Sequence, residues 1–340
     1  LDMAIGELRL GVPMFFLMSG FLLYRPFAAA ALDGRPAPSI RVYALRRAAR
    51  ILPAYWLALA ASFTLLTAID HPKLVAASEL PLFLLFLQNY LPQTANQLDP
   101  PTWTLAVEAS FYVVLPLIAL AAIRLGGGRR RQAAYVGAII ALGLALASLS
   151  VLQDWPATAR NSLLGHLPEF GIGMLLAVLV HGRTVSRRTG AALIAAGVAL
   201  VVADAAWHAN TLGPLTVRRL VGDLPAVLGF ALIFAAYALA PLRGRIMCSV
   251  PLRITGTLSY PLYLLHFPAI YLLRHLDLWP QRLFAAYAVV LAVTLPAAAL
   301  SWLVVERPAL RWARRFTAGR RHRQRRAGGL GRPATASARS

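Results

Sequence analysis

Long apolar runs separated by short arginine-rich connections dominate this chain, and that alternation restricts the fold more than any single motif. Nine stretches are apolar enough to cross a bilayer: Leu10–Tyr24, Ile51–Ile69, Thr104–Ile123, Ala133–Leu152, Leu163–His181, Gly190–Trp207, Val221–Ala240, Gly256–Leu273 and Phe284–Val304. A helical crossing takes about 20 residues, so nine such spans and their loops fill a chain of 340. Hydrocarbon offers backbone groups no partners, so unbroken apolar runs of this length are expected to be helices. The predicted fold class is therefore all-α, a polytopic integral membrane helical bundle. A tenth run, Leu80–Leu91, is interrupted by Pro81, Gln88 and Asn89. It is too short for a full crossing and reads as a re-entrant or interfacial segment.

Charge fixes the orientation. With nine crossings, 27 of the 34 Lys and Arg fall on one side of the membrane, in the segments 25–50, 124–131, 183–188, 243–253 and 307–339. Such asymmetry is the positive-inside pattern, which makes that side cytoplasmic and puts the C-terminus in the cytosol of a cell (inner or plasma) membrane. Counting Leu80–Leu91 as a crossing would scramble the asymmetry. Residues 1–306 read as one transmembrane domain and 307–340 as a basic, disordered cytoplasmic tail. The formal charge of +21 does not point to nucleic acid, because it is divided among loops and carries no interleaved aromatic stacking residues. Only 14% of residues are charged, against roughly 25% in soluble domains. The single Cys248 excludes an internal disulfide, and no metal-ligand motif occurs.

Polar groups inside the spans are costly and therefore informative. Thr104, Glu108 and Tyr112 repeat every four residues on one helix face. Glu108 either accepts a proton or orients a hydroxyl in a polar cavity, or it ties helices together by hydrogen bonds. Glu169 follows Pro168, three residues after His166 and four before Gly173; it is a substrate contact or part of a helix-packing node. Ser259, Tyr263 and His266 share another face, where His266 either shuttles protons or donates to a neighbouring carbonyl. Arg47 and Arg50, one turn apart at the membrane surface beside Arg46, suit a phosphate or pyrophosphate, or are ordinary positive-inside charge.

Six blocks, in order, resemble the acyltransferase 3 family of polytopic membrane O-acyltransferases. Gly11–Leu22 (GVPMFFLMSGFL) resembles its GVDLFFVLSGFL, and Arg46–Trp56 (RRAARILPAYW) its RRxxRILPAYW. Trp103–Tyr112 (WTLAVEASFY) resembles WSLxVEEQFY, and Pro168–Met174 (PEFGIGM) resembles PEFxxGM. Leu258–His266 (LSYPLYLLH) resembles ISYSLYLWH, and Val305–Pro308 matches the closing VERP. Any one block is weakly specific; the ordered set, spanning residues 11 to 308, is strong. Pro13 stands for the family's Asp, and Ala109-Ser110 for its Glu-Gln. Intact members are expected to have about ten spans, one more than the nine counted here. The missing one is the first, which carries an Arg and the His taken as the base. The chain is accordingly expected to be N-terminally truncated.

The resemblance implies transfer of an acyl group, most commonly acetyl, from acyl-CoA to a hydroxyl of a carbohydrate or glycolipid. No cofactor is held permanently; acyl-CoA is a co-substrate, and the bilayer and the acceptor are the other partners. Arg46, Arg47 and Arg50 would bind the CoA phosphates. Glu108, Tyr263 and His266 would act at or near the reacting groups, while Ser19, Trp103, Tyr112 and Glu169 would line the acceptor site. Two alternatives stand beside this: a secondary transporter or flippase for a sugar-containing substrate, which the same buried ionisable groups would suit, and an inactive fragment lacking its base.

Overall fold

The computed structural model describes residues 10–209, 217, 221–242 and 249–317. The described residues form helices joined by turns, with no strand among them. In chain order the helices are α1 (Gly11–Asp33), α2 (Ile40–Ala68), α3 (Leu80–Leu84), α4 (Trp103–Leu125), α5 (Arg129–Leu152), α6 (Ala157–Arg160), α7 (Leu167–Val180), α8 (Arg187–Ala209), α9 (Leu224–Leu239), α10 (Val250–His275) and α11 (Leu283–Ser301). A π-helical turn, Trp302–Glu306, follows α11, and helix continues over 307–317. Residues 307–317 belong to the expected tail; the rest of that tail, 318–340, lies outside the described residues.

Among the described residues six helices are long and apolar enough to cross a membrane: Gly11–Asp33, Ile40–Ala68, Pro100–Leu125, Arg129–Leu152, Arg187–His208 and Leu283–Thr317. Helices α7 and α9, at 14 and 16 residues, are about 21 and 24 Å long at 1.5 Å per residue. The hydrocarbon core is about 30 Å thick. Helix α10 has 26 residues, but Arg253, Thr255, Thr257 and Ser259 make its first half polar. The Leu80–Leu91 run is the five-residue α3 and a 3₁₀ turn at Gln88–Tyr90. Proline sits inside α1, α2, α4, α10 and α11, as membrane helices tolerate when neighbours re-satisfy the freed backbone groups.

The chain forms two compact units. Unit 1 comprises residues 1–38 and 62–257. Its centre is α1, which packs on α4, α5, α7 and α9, and α8 pairs with α9. Glycine makes the closest approaches. A Cβ on Gly20 of α1 would stand 2.2 Å from the Phe170 carbonyl oxygen of α7, and one on Gly173 would stand 2.1 Å from the Leu17 oxygen of α1. The two backbones therefore touch, which is small-residue packing of the kind that holds membrane helices together without a hydrophobic drive. Gly197 and Gly229 play the same reciprocal part between α8 and α9: a Cβ on either would stand 2.6 Å from the other's carbonyl oxygen. Along α4 the inward face carries Glu108, Phe111 and Leu115, whereas Val113 and Leu117 are 73% and 66% exposed. An apolar exterior around a polar interior matches lipid as the surrounding solvent.

Unit 2 comprises residues 39–61 and 258–340. Ser39 opens α2, its Oγ accepting from the Val42 N–H at 3.4 Å. The Tyr260 hydroxyl of α10 donates to the Ile51 carbonyl of α2 at 3.0 Å. That carbonyl lies two residues before Pro53, inside α2.

Candidate active site

In unit 1 the first turns of α4 meet α1 around a buried carboxylate. Glu108 is 3% exposed. Its Oε1 accepts a hydrogen bond from Ser19 Oγ of α1 at 2.7 Å and a second, very short one from the Tyr112 hydroxyl one turn further along α4. Three expected site residues, Ser19, Glu108 and Tyr112, thus form one hydrogen-bonded group. Thr104 belongs to the same helix face but takes another role: its Oγ1 donates to the Pro101 carbonyl at 3.1 Å, at the start of the helix. A carboxylate bridging two hydroxyls can orient a further hydroxyl or hold its proton.

Beside this group lies an aromatic wall. Phe16, one turn before Ser19 on α1, stacks on Phe170 of α7 with centroids 4.8 Å apart, and Phe170 stacks on Phe111 of α4 at 4.0 Å. Phe16 also meets Trp103 edge-on at 6.4 Å. His166, the residue before α7, packs between Phe16 (5.0 Å) and Trp103 (5.4 Å). Its Nδ1 is 3.4 Å from Glu169 Oε1. The other carboxylate oxygen, Oε2, is buried with no hydrogen-bond partner among the described residues. The structure therefore groups Trp103 and Glu169 through His166. The three-residue spacing of His166 and Glu169 was the available signal for that imidazole; its place against Trp103 depends on packing between α1, α4 and α7.

The start of α4 is held from outside the helix. Asn89 Nδ2 donates to the Trp103 carbonyl at 2.8 Å and the Asn161 carbonyl at 3.0 Å, and Gln88 Nε2 donates to the Thr102 carbonyl at 3.2 Å. The broken run at 80–91 thus acts as a brace for Trp103. Next to it Asp99 is fully buried, and neither carboxylate oxygen has a hydrogen-bond partner among the described residues. Burial pushes its carboxyl well above the ordinary carboxylate range. Sequence reasoning missed Asp99; an acid directly before Pro100-Pro101 was the only hint.

The remaining expected residues lie in unit 2. Arg46 Nη2 donates to Thr317 Oγ1 at 3.4 Å. Arg50 lies within electrostatic reach of Glu306, a 3% exposed carboxylate that accepts from Ser301 Oγ at 3.4 Å. Arg47, the middle residue of the fork, is half-buried. His266 Nδ1 sits 2.6 Å from the Tyr263 carbonyl of its own helix. A carbonyl only accepts, so Nδ1 carries the hydrogen, and in the neutral imidazole Nε2 is then the acceptor. The Tyr263 and His266 rings are 5.6 Å apart.

One further cluster has metal-ligating chemistry: Asp204, His208 and Asp223 present ligand atoms within 4.8 Å of one another. His208 Nδ1 lies 2.9 Å from the Asp204 carbonyl and 3.3 Å from its Oδ2.

Residues 8–305 match a family model described as an acyltransferase domain. Among curated proteins, the chain is 31% identical to the exopolysaccharide production protein ExoZ of Rhizobium meliloti (strain 1021), over 91% of the chain and 92% of that protein. It is 26% identical to BcsY of Komagataeibacter xylinus, which carries a membrane-bound transacylase name, over 92% and 79%. It is also 26% identical to the acyltransferase MdmB of Streptomyces mycarofaciens, over 89% and 81%. No solved structure matches the chain.

Proposed function

The chain belongs to the acyltransferase-domain family that its residues 8–305 match, and on that premise we propose that it moves an acyl group, acetyl first, from acyl-CoA to a hydroxyl of a carbohydrate or glycolipid at the cell membrane. The observation that carries this reading is the Ser19–Glu108–Tyr112 group. It joins two of the six family-like blocks, from α1 and α4, in one buried polar cluster of the kind that positions an acceptor hydroxyl.

In this reading nine segments cross the bilayer, and their arginine-rich ends and the C-terminus face the cytosol, where acyl-CoA is made. Arg46, Arg47 and Arg50 hold the CoA phosphates, as planar guanidiniums match phosphate oxygens in pairs. The acceptor hydroxyl, held by Glu108 and Tyr112 with Ser19 behind them, attacks the thioester carbonyl. A C–O bond forms, the C–S bond breaks, and CoA leaves as its thiol. The hydroxyl proton passes to a general base, a role that the family resemblance gives to a histidine. Trp103 and Glu169 line the acceptor side, and the family resemblance assigns Tyr263 and His266 roles in the reaction. Enclosure among helices excludes water, which strengthens these electrostatic contacts.

The test uses the protein expressed from its complete reading frame, purified in detergent and given labelled acetyl-CoA with membrane glycolipids. Acceptor-dependent release of free CoA with label in the glycolipid is expected. Proton-coupled uptake of the sugar by proteoliposomes, with no CoA release, would overturn the reading in favour of a transporter.

A further inference from the structure

We propose that the arginine-rich end of unit 1 is a binding site for a phosphate-bearing anion, built by Arg129, Arg130, Arg131 and Arg183. The first three open α5; the fourth lies 54 residues after Arg129, in the turn after α7. The fold brings them together around one cavity of about 560 Å³, with Leu179 and Ala133 as apolar wall. That volume takes a phosphodiester headgroup or a nucleotide pyrophosphate rather than a single water.

Local backbone geometry makes the cavity. Gly126 and Gly127 have φ of 59° and 81°, left-handed values that let the chain turn from α4 into α5 in three residues. A Cβ on Gly127 would lie 2.5 Å from Arg131 Cδ, so glycine there leaves room for that arginine. Gly182, at φ 62°, turns the chain out of α7 just before Arg183. Arg129 joins the two corners, its Nη2 donating to the His181 carbonyl. Its Nε is buried and has no hydrogen-bond partner among the described residues.

Among the described residues the charge at this site is uncompensated. Asp33, which meets the joint through His181, is held by His181 Nε2 at 2.8 Å and Arg35 at 3.3 Å. None of the four arginines forms an ion pair with a carboxylate among the described residues. Four clustered guanidiniums repel one another, and the first N–H groups of α5 add the positive end of a 24-residue helix. An anion relieves that repulsion. All four positions are Arg rather than Lys, and the paired N–H groups of guanidinium fit phosphate oxygens. The phosphate can come from a bilayer phospholipid headgroup or from a soluble nucleotide such as CoA; the recognition chemistry is the same. The site shares no residue with Arg46, Arg47 and Arg50, and it does not depend on acyl transfer.

The test measures binding to delipidated protein in non-ionic detergent, by native mass spectrometry and by titration, with cardiolipin, phosphatidylglycerol, CoA and dephospho-CoA as probes. At least one probe should bind the wild-type protein, and the R130Q/R131Q/R183Q variant should bind it about tenfold more weakly, since each lost guanidinium removes a charge-assisted pair. The matching Lys variant should lie between the two. A loss confined to the lipids identifies a headgroup site. A loss confined to CoA, larger than for dephospho-CoA, identifies a nucleotide site. R183Q alone, at an exposed turn, gives a second reading with a loss of about threefold if the triple variant does not fold. Affinities for all four probes unchanged within about twofold in folded variants would overturn the proposal.

Discussion

Ser19 Oγ donates to Glu108 Oε1 at 2.7 Å, joining α1 to α4 across 89 residues of sequence. The Tyr112 hydroxyl donates to the same oxygen, so one carboxylate holds two helices and two hydroxyls. Replacing Ser19 with Ala removes one buried donor and should cost about 1 kcal/mol of stability. If the group positions an acceptor, acyl transfer should fall by more than that stability loss explains, about tenfold or more. Thermal unfolding and turnover measured on S19A check this. Equal activity at slightly lower stability would leave Ser19 a structural residue only.

Gly20 and Gly173 let α1 and α7 touch backbone to backbone. G20A or G173A must push the helices apart, which should cost about 1–3 kcal/mol, lower the unfolding temperature and disturb the Phe16–Phe170 stack. G137A on α5 is the control, because a Cβ there has nothing within 4 Å, and it should be neutral or slightly stabilising. Similar unfolding temperatures for all three variants would contradict this packing.

Asp99 should make stability depend on pH. Its folded carboxyl titrates above the ordinary carboxylate range because burial disfavours the charged form. Its contribution is therefore fully present at pH below the unfolded value, about 3.9, and is lost as pH rises through the raised folded value. D99N, which is neutral at every pH, should stabilise the protein at pH 8 and change little at pH 4. Melting curves across that range test the sign; a variant less stable than wild type at pH 8 would contradict it.

Topology reporters test the membrane arrangement. Fusions after Arg131 and Arg188 should report the cytosol, since both follow basic segments on the arginine-rich side. A periplasmic signal at either position would remove the cytosolic docking of acyl-CoA from the account.

Much of the helix plan was legible in hydropathy. The stretch read as Thr104–Ile123 is α4, Trp103–Leu125, and Val221–Ala240 is α9, Leu224–Leu239. Boundaries moved where local chemistry intervened. Hydropathy ends the first run at Tyr24, before Arg25 and Pro26, but α1 carries through that proline to Asp33, where Gly34 at φ 63° ends it. The span expected over Leu163–His181 shortens to Leu167–Val180, because the residues up to His166 form turns and Pro168 favours a first-turn position. Four-residue spacing placed Glu108 and Tyr112 together, while the Ser19 contact needed the α1–α4 packing. The arginines at 129–131 and 183 were visible as charge; that they share a cavity depends on glycine-governed turns that hydropathy does not register.

The most direct measurement is single-turnover transfer of a labelled acetyl group by the protein, comparing wild type with E108A and E108Q after both variants are shown to be folded. The account predicts transfer by the wild type and a loss of about a hundredfold or more in E108A, with E108Q partly spared because its amide oxygen still accepts from Ser19 and Tyr112. Wild-type transfer rates in folded E108A would contradict the placement of the acceptor site at Glu108.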